Sequence, residues 1–162
     1  MEYIEHTLSS VYDQNSKILI LGTMPSPKSR ELGFYYSHPQ NRFWRVLSAL
    51  YEDVLPQSTE EKTAFVLRHH IALWDVLQSC RIEGADDCSI KDPVPNDITR
   101  LLRQTNISKI FTTGAKAASL YQRFCSRSAG PAVALPSTSP ANCRYYNLER
   151  LIESYRVILQ YA

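Results

Sequence analysis

The sequence predicts an α/β protein, a three-layer α/β/α sandwich with a mostly parallel central sheet, on three observations. The runs "KILILG" at 17–22, "ISKIFTTG" at 107–114 and "AVAL" at 132–135 are short and rich in Ile, Leu, Val and Phe. Strands of that composition are buried on both faces, the habit of parallel sheets covered by helices. Each run leads into a loop of small or polar residues, "GTMPSPKS", "TTGAK" or "LPSTSPAN", and a helix-length segment follows. Such sheets bind ligands beyond the carboxyl ends of their strands, so function is expected in those loops.

The elements follow in order. After the first strand, "NRFWRVLSALYEDV" spaces Phe43, Val46, Leu47 and Leu50 along one helical face, with Asn41 where an N-cap would sit. "TEEKTAFVLRHHIALWDVLQSC" opens like a capped helix at Thr59 and carries Phe65, Leu67, Ile71, Leu73, Val76 and Leu77. It predicts a helix, a break near His69 and His70, and a second short helical turn around Trp74 to Leu77 that Asp75 would cap. "RIEGADDCSIKDPVPN", polar with Gly and Pro, predicts a loop. "DITRLLRQT" predicts a short helix capped by Asn96 or Asp97, "AKAASLYQRFCS" a helix after the second strand, and "NLERLIESYRVILQYA" a closing helix.

A chain of 162 residues suits one domain, 1–162. Hydrophobic content of 44% and charged content of 21% are ordinary globular values. A net charge of +2 is a mild excess that leaves the partner undecided. Cys80, Cys88, Cys125 and Cys143 form no CxxC pair, and the N-terminal residues carry no basic-then-apolar signal pattern. The expectation is an intracellular protein (cytoplasmic, or in the nucleoid of a bacterium or archaeon) with no metal site. No apolar run approaches the roughly 20 residues of a membrane span. The first loop has neither the GxxxxGK[ST] of a P-loop nor the GxGxxG of a dinucleotide site, which sets those classes aside.

"ILGTMPSPKS", "GFYYSHPQNRFWRVL", "IALWDVLQSC" and "LPSTSPAN", in that order from Lys17 to the last helix, resemble the uracil-DNA glycosylase superfamily. The resemblance is strongest to its hypoxanthine-DNA (deoxyinosine) glycosylase branch, and the HP-x-N-x-FW stretch is also similar to mismatch-specific uracil and thymine glycosylases. It implies a monofunctional base-excision repair enzyme that flips a damaged base and hydrolyses its N-glycosidic bond with no cofactor. Damaged DNA is the implied partner, and a monomer is expected. A uracil/thymine substrate, or a lesion-binding module with impaired catalysis, are the alternatives the residues leave open.

The resemblance also distributes roles. Bond breaking places positive charge on the sugar and negative charge on the leaving base, so preorganised donors and a positioned water are required. The water-positioning Asn of the mismatch-specific relatives falls on Met24, which cannot do that work, and in the hypoxanthine branch the role falls on Asn41. The residues leave Asn41 a second role, helix N-cap. Tyr36 would stack on the flipped base, with Tyr35 and Phe34 as wall or core and, if the segment is extended, Tyr35 facing away from Tyr36. His38 would donate to the base or a phosphate. Gly22, Thr23, Met24, Thr113 and Gly114 would complete the base site. On the DNA side, Ser26, Lys116, Ser137, Thr138 and Ser139 are candidate phosphate contacts, and Asn142, Cys143 and Arg144 are candidates to fill the space the base leaves.

Overall fold

Ile18, Leu19, Ile20 and Leu21 are all fully buried, as a strand in the middle of a covered sheet requires. The computed structural model describes residues 1–162. Its strands are β1 (Glu2–Glu5), β2 (Ile18–Gly22), β3 (Ile71–Asp75), β4 (Leu77–Glu83), β5 (Asp86–Pro95), β6 (Lys109–Thr113) and β7 (Val133–Leu135). A four-stranded sheet has the order β3-β2-β6-β7, parallel throughout, and a three-stranded antiparallel sheet has the order β1-β4-β5. The helices are α1 (Pro27–Leu32), α2 (Phe43–Tyr51), α3 (Thr59–Arg68), α4 (Ile98–Arg103), α5 (Ala115–Phe124), α6 (Ser126–Ala129) and α7 (Leu148–Tyr155).

The period of two in a strand divides the core. Ile18, Ile20, Ile71, Leu73 and Phe111 pack on one side with Phe43, Leu47 and Leu50 of α2, Phe65 of α3, and Leu151 and Tyr155 of α7. Leu19, Leu21, Ala72 and Ile110 pack on the other with Ile98 and Leu101 of α4, Ala117, Leu120 and Tyr121 of α5, and Cys80 and Ile82 of β4. The predicted α/β/α sandwich is present, and its three sequence-read strands are β2, β6 and β7.

Two stretches differ from the sequence reading. Residues 71–75 are a strand, with Ile18 opposite Ile71 and Gly22 opposite Asp75, and no helical turn forms at Trp74 to Leu77. The backbone reverses at His70, which adopts φ 64, so the apolar spacing of α3 runs on into β3 with no glycine or proline to mark the change. Residues 81–96 are mostly the hairpin β4–β5, whose second strand is largely exposed and therefore polar, with register shifts along it. At α3 the cap is Ser58, one residue earlier than Thr59. Ser58 Oγ accepts from the Glu61 N–H at 3.1 Å and bonds the Glu61 carboxylate at 3.2 Å. Asp97, rather than Asn96, caps α4. Asn96 donates to the Asp75 and Leu77 carbonyls and ties the hairpin to the parallel sheet.

Candidate active site

The parallel strands end together, at Gly22, Asp75, Thr113 and Leu135, and beyond those ends lies a cavity of about 320 Å³. That is the size of a site for one small planar ligand, on the order of 300–1,000 Å³. Gly22, Thr23, Met24, Ser26, Tyr36, His38, Asn41 and Thr113 line it, with Ser137, Thr138 and Ser139 along one rim. The close approach at Gly22 is obligatory, since a Cβ there would lie 2.6 Å from Asp75 Oδ1 and 3.3 Å from the Tyr36 hydroxyl. Met24 is half-buried and also packs against the core cluster that contains Leu19 and Leu21.

The segment from Tyr35 to Trp44 is held by its own side chains and its neighbours. The Ser37 N–H donates to Ser29 Oγ, the Trp44 indole N–H to the Tyr35 carbonyl, and the Tyr35 hydroxyl to the Ser9 carbonyl. The chain is not extended here. Tyr36 adopts φ 52, a conformation costing about 1–3 kcal/mol for a non-glycine residue, and Tyr35 lines the cavity too instead of facing away from it. That backbone lays the Tyr36 ring on Phe43, with centroids 3.8 Å apart and planes 13° from parallel. Phe43 is fully buried and backs the platform. The Tyr36 hydroxyl donates to Thr113 Oγ1 at 3.2 Å, which in turn donates to the Leu21 carbonyl at 3.4 Å. Burial, reinforced by the Asp75 carboxylate, pushes the Tyr36 hydroxyl far above its ordinary pKa, so it stays protonated.

Asn41 sits one residue before the N-cap of α2, which is Arg42, a residue whose own side chain makes no capping bond. Asn41 Oδ1 accepts from the Phe43 N–H at 2.9 Å at the start of α2, and from Thr138 Oγ1 at 2.8 Å. Next to it, Arg42 is 8% exposed and donates to the Ser139 and Tyr146 carbonyls, while its own N–H donates to the Thr138 carbonyl at 3.1 Å. The pair Asn41–Arg42 is thus stitched to the Ser/Pro loop. His38 Nδ1 accepts from the Gln40 N–H at 3.1 Å, which leaves its other ring nitrogen to carry the proton.

Sequence reasoning missed the role of Asp75. Its carboxylate does not cap a turn; Oδ2 bonds His6 Nε2 at 2.8 Å, with both side chains almost fully buried, and Oδ1 lies toward Gly22 and the cavity. The partners are 69 residues apart, so no local pattern could have announced the pair. Asp87 of the hairpin stands at the cavity mouth. Its side chain reaches solvent, but crowding by the protein holds its carboxyl above the usual range, with Lys116 opposing.

Other expected site residues lie elsewhere. Gly114, at φ 93, does not line the cavity. Its N–H donates to the Leu135 carbonyl and its carbonyl accepts from the Ala118 N–H. A Cβ there would sit 3.3 Å from Ser137 Cβ, and the residue serves to let the Ser/Pro loop close in. Thr138 is 1% exposed, which removes it from phosphate contact. Asn142 donates to the Ser137 carbonyl at 2.9 Å and staples the loop, so it is not a free wedge. Cys143 and Arg144 are exposed beyond it, beside Tyr145, which is 64% exposed and which the sequence reading passed over. Lys116 is at the start of α5 and outside the cavity.

The arrangement is that of a parallel α/β protein with a cavity at the carboxyl ends of its strands. Residues 9–161 match the family described as the uracil DNA glycosylase superfamily, and the chain belongs to it. Among its relatives, two proteins named hypoxanthine DNA glycosylase stand out. The Methanosarcina acetivorans protein is 32% identical, covering 88% of this chain and 90% of its own length; the Methanosarcina barkeri protein is 33% identical, covering 83% and 85%. A solution NMR structure described as a uracil DNA glycosylase from Methanosarcina acetivorans superposes with a TM-score of 0.80 at 29% identity, over 98% of this chain and 99% of that one.

Proposed function

We propose that the chain is a monofunctional DNA glycosylase that hydrolyses the N-glycosidic bond of a deaminated base flipped out of DNA, chiefly hypoxanthine from deoxyinosine. One observation carries the reading: the Asn41 amide and the Tyr36 ring of one loop meet the Asp75 carboxylate from the end of β3 in one cavity rimmed by a serine-bearing loop. The names of the two Methanosarcina relatives support hypoxanthine as the base. The site is complete within one chain, which favours a monomer, and the substrate implies work inside the cell.

The flipped base stacks on Tyr36, an interaction worth about 1–3 kcal/mol. The Asp75 carboxylate accepts a hydrogen bond from N1–H of hypoxanthine. Adenine offers a lone pair at N1, so the same carboxylate repels the undamaged purine. His38 donates through its outer ring nitrogen, and Ser26, Ser137 and Ser139 face the flanking phosphates. As the C1′–N9 bond breaks, its electron pair leaves with the base, a water oxygen bonds C1′, and the proton that water gives up passes through solvent to the base anion, which departs as neutral hypoxanthine. Asn41 is the catalytic amide. Lysine is absent from the cavity lining, which favours direct hydrolysis over a Schiff base.

The test is incubation of the purified protein with duplexes bearing inosine, uracil, thymine or xanthine, scored for abasic product. Cleavage of inosine above the others supports the reading. Cleavage of uracil or thymine alone transfers it to a mismatch-specific enzyme, and binding with no cleavage of any base leaves a lesion-binding module. A borohydride-trapped adduct on inosine DNA contradicts the direct use of water.

A further inference from the structure

We infer that Thr138 is a positioning residue that locks the Asn41 amide with its NH2 group toward the cavity, so that Asn41 serves the departing base as a hydrogen-bond donor and does not orient the attacking water. The inference rests on the glycosylase reading and deepens it.

Both lone-pair directions of Asn41 Oδ1 are occupied, by the Phe43 N–H at 2.9 Å and by Thr138 Oγ1 at 2.8 Å. The orientation is chemically unambiguous, because turning the amide over would set its NH2 against the Phe43 N–H, donor against donor. Both of these bonds end on Oδ1, so Nδ2 is left to the cavity that Asn41 lines. A water that is to attack C1′ needs an acceptor for its proton, and the only acceptor atom of the Asn41 side chain is spent. A departing purine needs the opposite: a donor aimed at the negative charge that spreads over its ring nitrogens and O6.

Thr138 is built for this task. At 1% exposed it has no surface for DNA, although Ser137 and Ser139 on either side remain at the cavity rim. Its carbonyl accepts from the Arg42 N–H, and the Ser139 carbonyl accepts from the Arg42 guanidinium, so the hydroxyl is held in register with Asn41 from both sides. The loop that meets the DNA backbone therefore also sets the angle of the catalytic amide.

Two substitutions separate the donor role from water positioning. Asn41→Asp keeps an oxygen for Phe43 and Thr138 but replaces the NH2 with a second acceptor. A donor role predicts that its single-turnover rate on inosine DNA falls as far as that of Asn41→Ala, about 100- to 1,000-fold. An Asn41→Asp variant that keeps the wild-type rate would overturn the inference. Thr138→Val, nearly isosteric and lacking the hydroxyl, is expected to lose about 10- to 100-fold in single-turnover rate while affinity for inosine DNA changes by less than about threefold. Thr138→Ser, which keeps the hydroxyl, is expected to recover most of that loss.

The lock also has a readout independent of turnover. The Asn41 side-chain NH2 resonances are expected to shift in Thr138→Val and to return in Thr138→Ser, and resonances unmoved by Thr138→Val would overturn the lock even in a protein that cleaves nothing. Resonances that shift in Thr138→Val, beside a wild type that cleaves no base, would support the lock and refute the glycosylase reading alone.

Discussion

In the proposed reading, Asp75 and Tyr36 divide the recognition of a flipped base between an edge and a face. Free bases acting as product inhibitors isolate the edge. Asp75→Asn removes the anionic acceptor at unchanged size, so inhibition by hypoxanthine is expected to weaken about tenfold and its margin over adenine to narrow, each lost charged bond being worth about 1.5–3 kcal/mol. An unchanged margin would take base reading away from Asp75. Tyr36→Ala removes the platform and is expected to weaken binding to inosine DNA about 10- to 100-fold, with little change for undamaged duplex. His6, just past the end of β1, holds Asp75 from outside the residues matched by the superfamily, so the edge is braced by a segment the family match does not reach.

At the scale of elements, legibility followed burial. The strands β2, β6 and β7 could be read because each centres on a short apolar run between turn residues; β3 could not, because Ile71 and Leu73 continue the spacing of Phe65 and Leu67 in α3 with only Arg68, His69 and His70 between. The hairpin β4–β5 was hidden by its exposure, since a strand facing solvent needs no hydrophobic run. In the site, Asn41 and Tyr36 were legible as chemistry within one motif, whereas Arg42, His6 and Asp75 act through partners 69 to 104 residues away.

One inter-element cluster gives a pH test. Asp53, after α2, accepts from His69 at 2.7 Å and Arg68 at 2.8 Å at the end of α3. The His69 bond, with help from Arg68 and the Val54 N–H, lowers its carboxyl from 3.8 to about 2. A depressed carboxyl stabilises the fold above its unfolded pKa and loses that contribution as pH falls through the folded value. Thermal unfolding of wild type is therefore expected to drop more steeply than that of Asp53→Asn between about pH 4 and pH 2. Parallel curves would dismiss the cluster as a contributor.

Across the whole molecule, the net charge of +2 predicts a modest electrostatic grip on DNA, with specificity drawn from the cavity. Arg144 and Tyr145 stand exposed past the Ser/Pro loop, the guanidinium 5.8 Å from the ring centroid. If Arg144 contacts a phosphate, Arg144→Ala reduces the slope of log K against log salt by about 0.9 and weakens lesion and undamaged DNA alike. A lesion-specific loss with an unchanged slope would instead make it a gap-filling group.

In the proposed function this cavity expels hypoxanthine from DNA through Asn41. That function is tested most directly by single-turnover release of free hypoxanthine from an inosine duplex, comparing wild type with Asn41→Ala at equal DNA occupancy. Release by wild type and a loss of about 100- to 1,000-fold in the variant are expected. Equal release by both proteins, or none by wild type, would contradict that function.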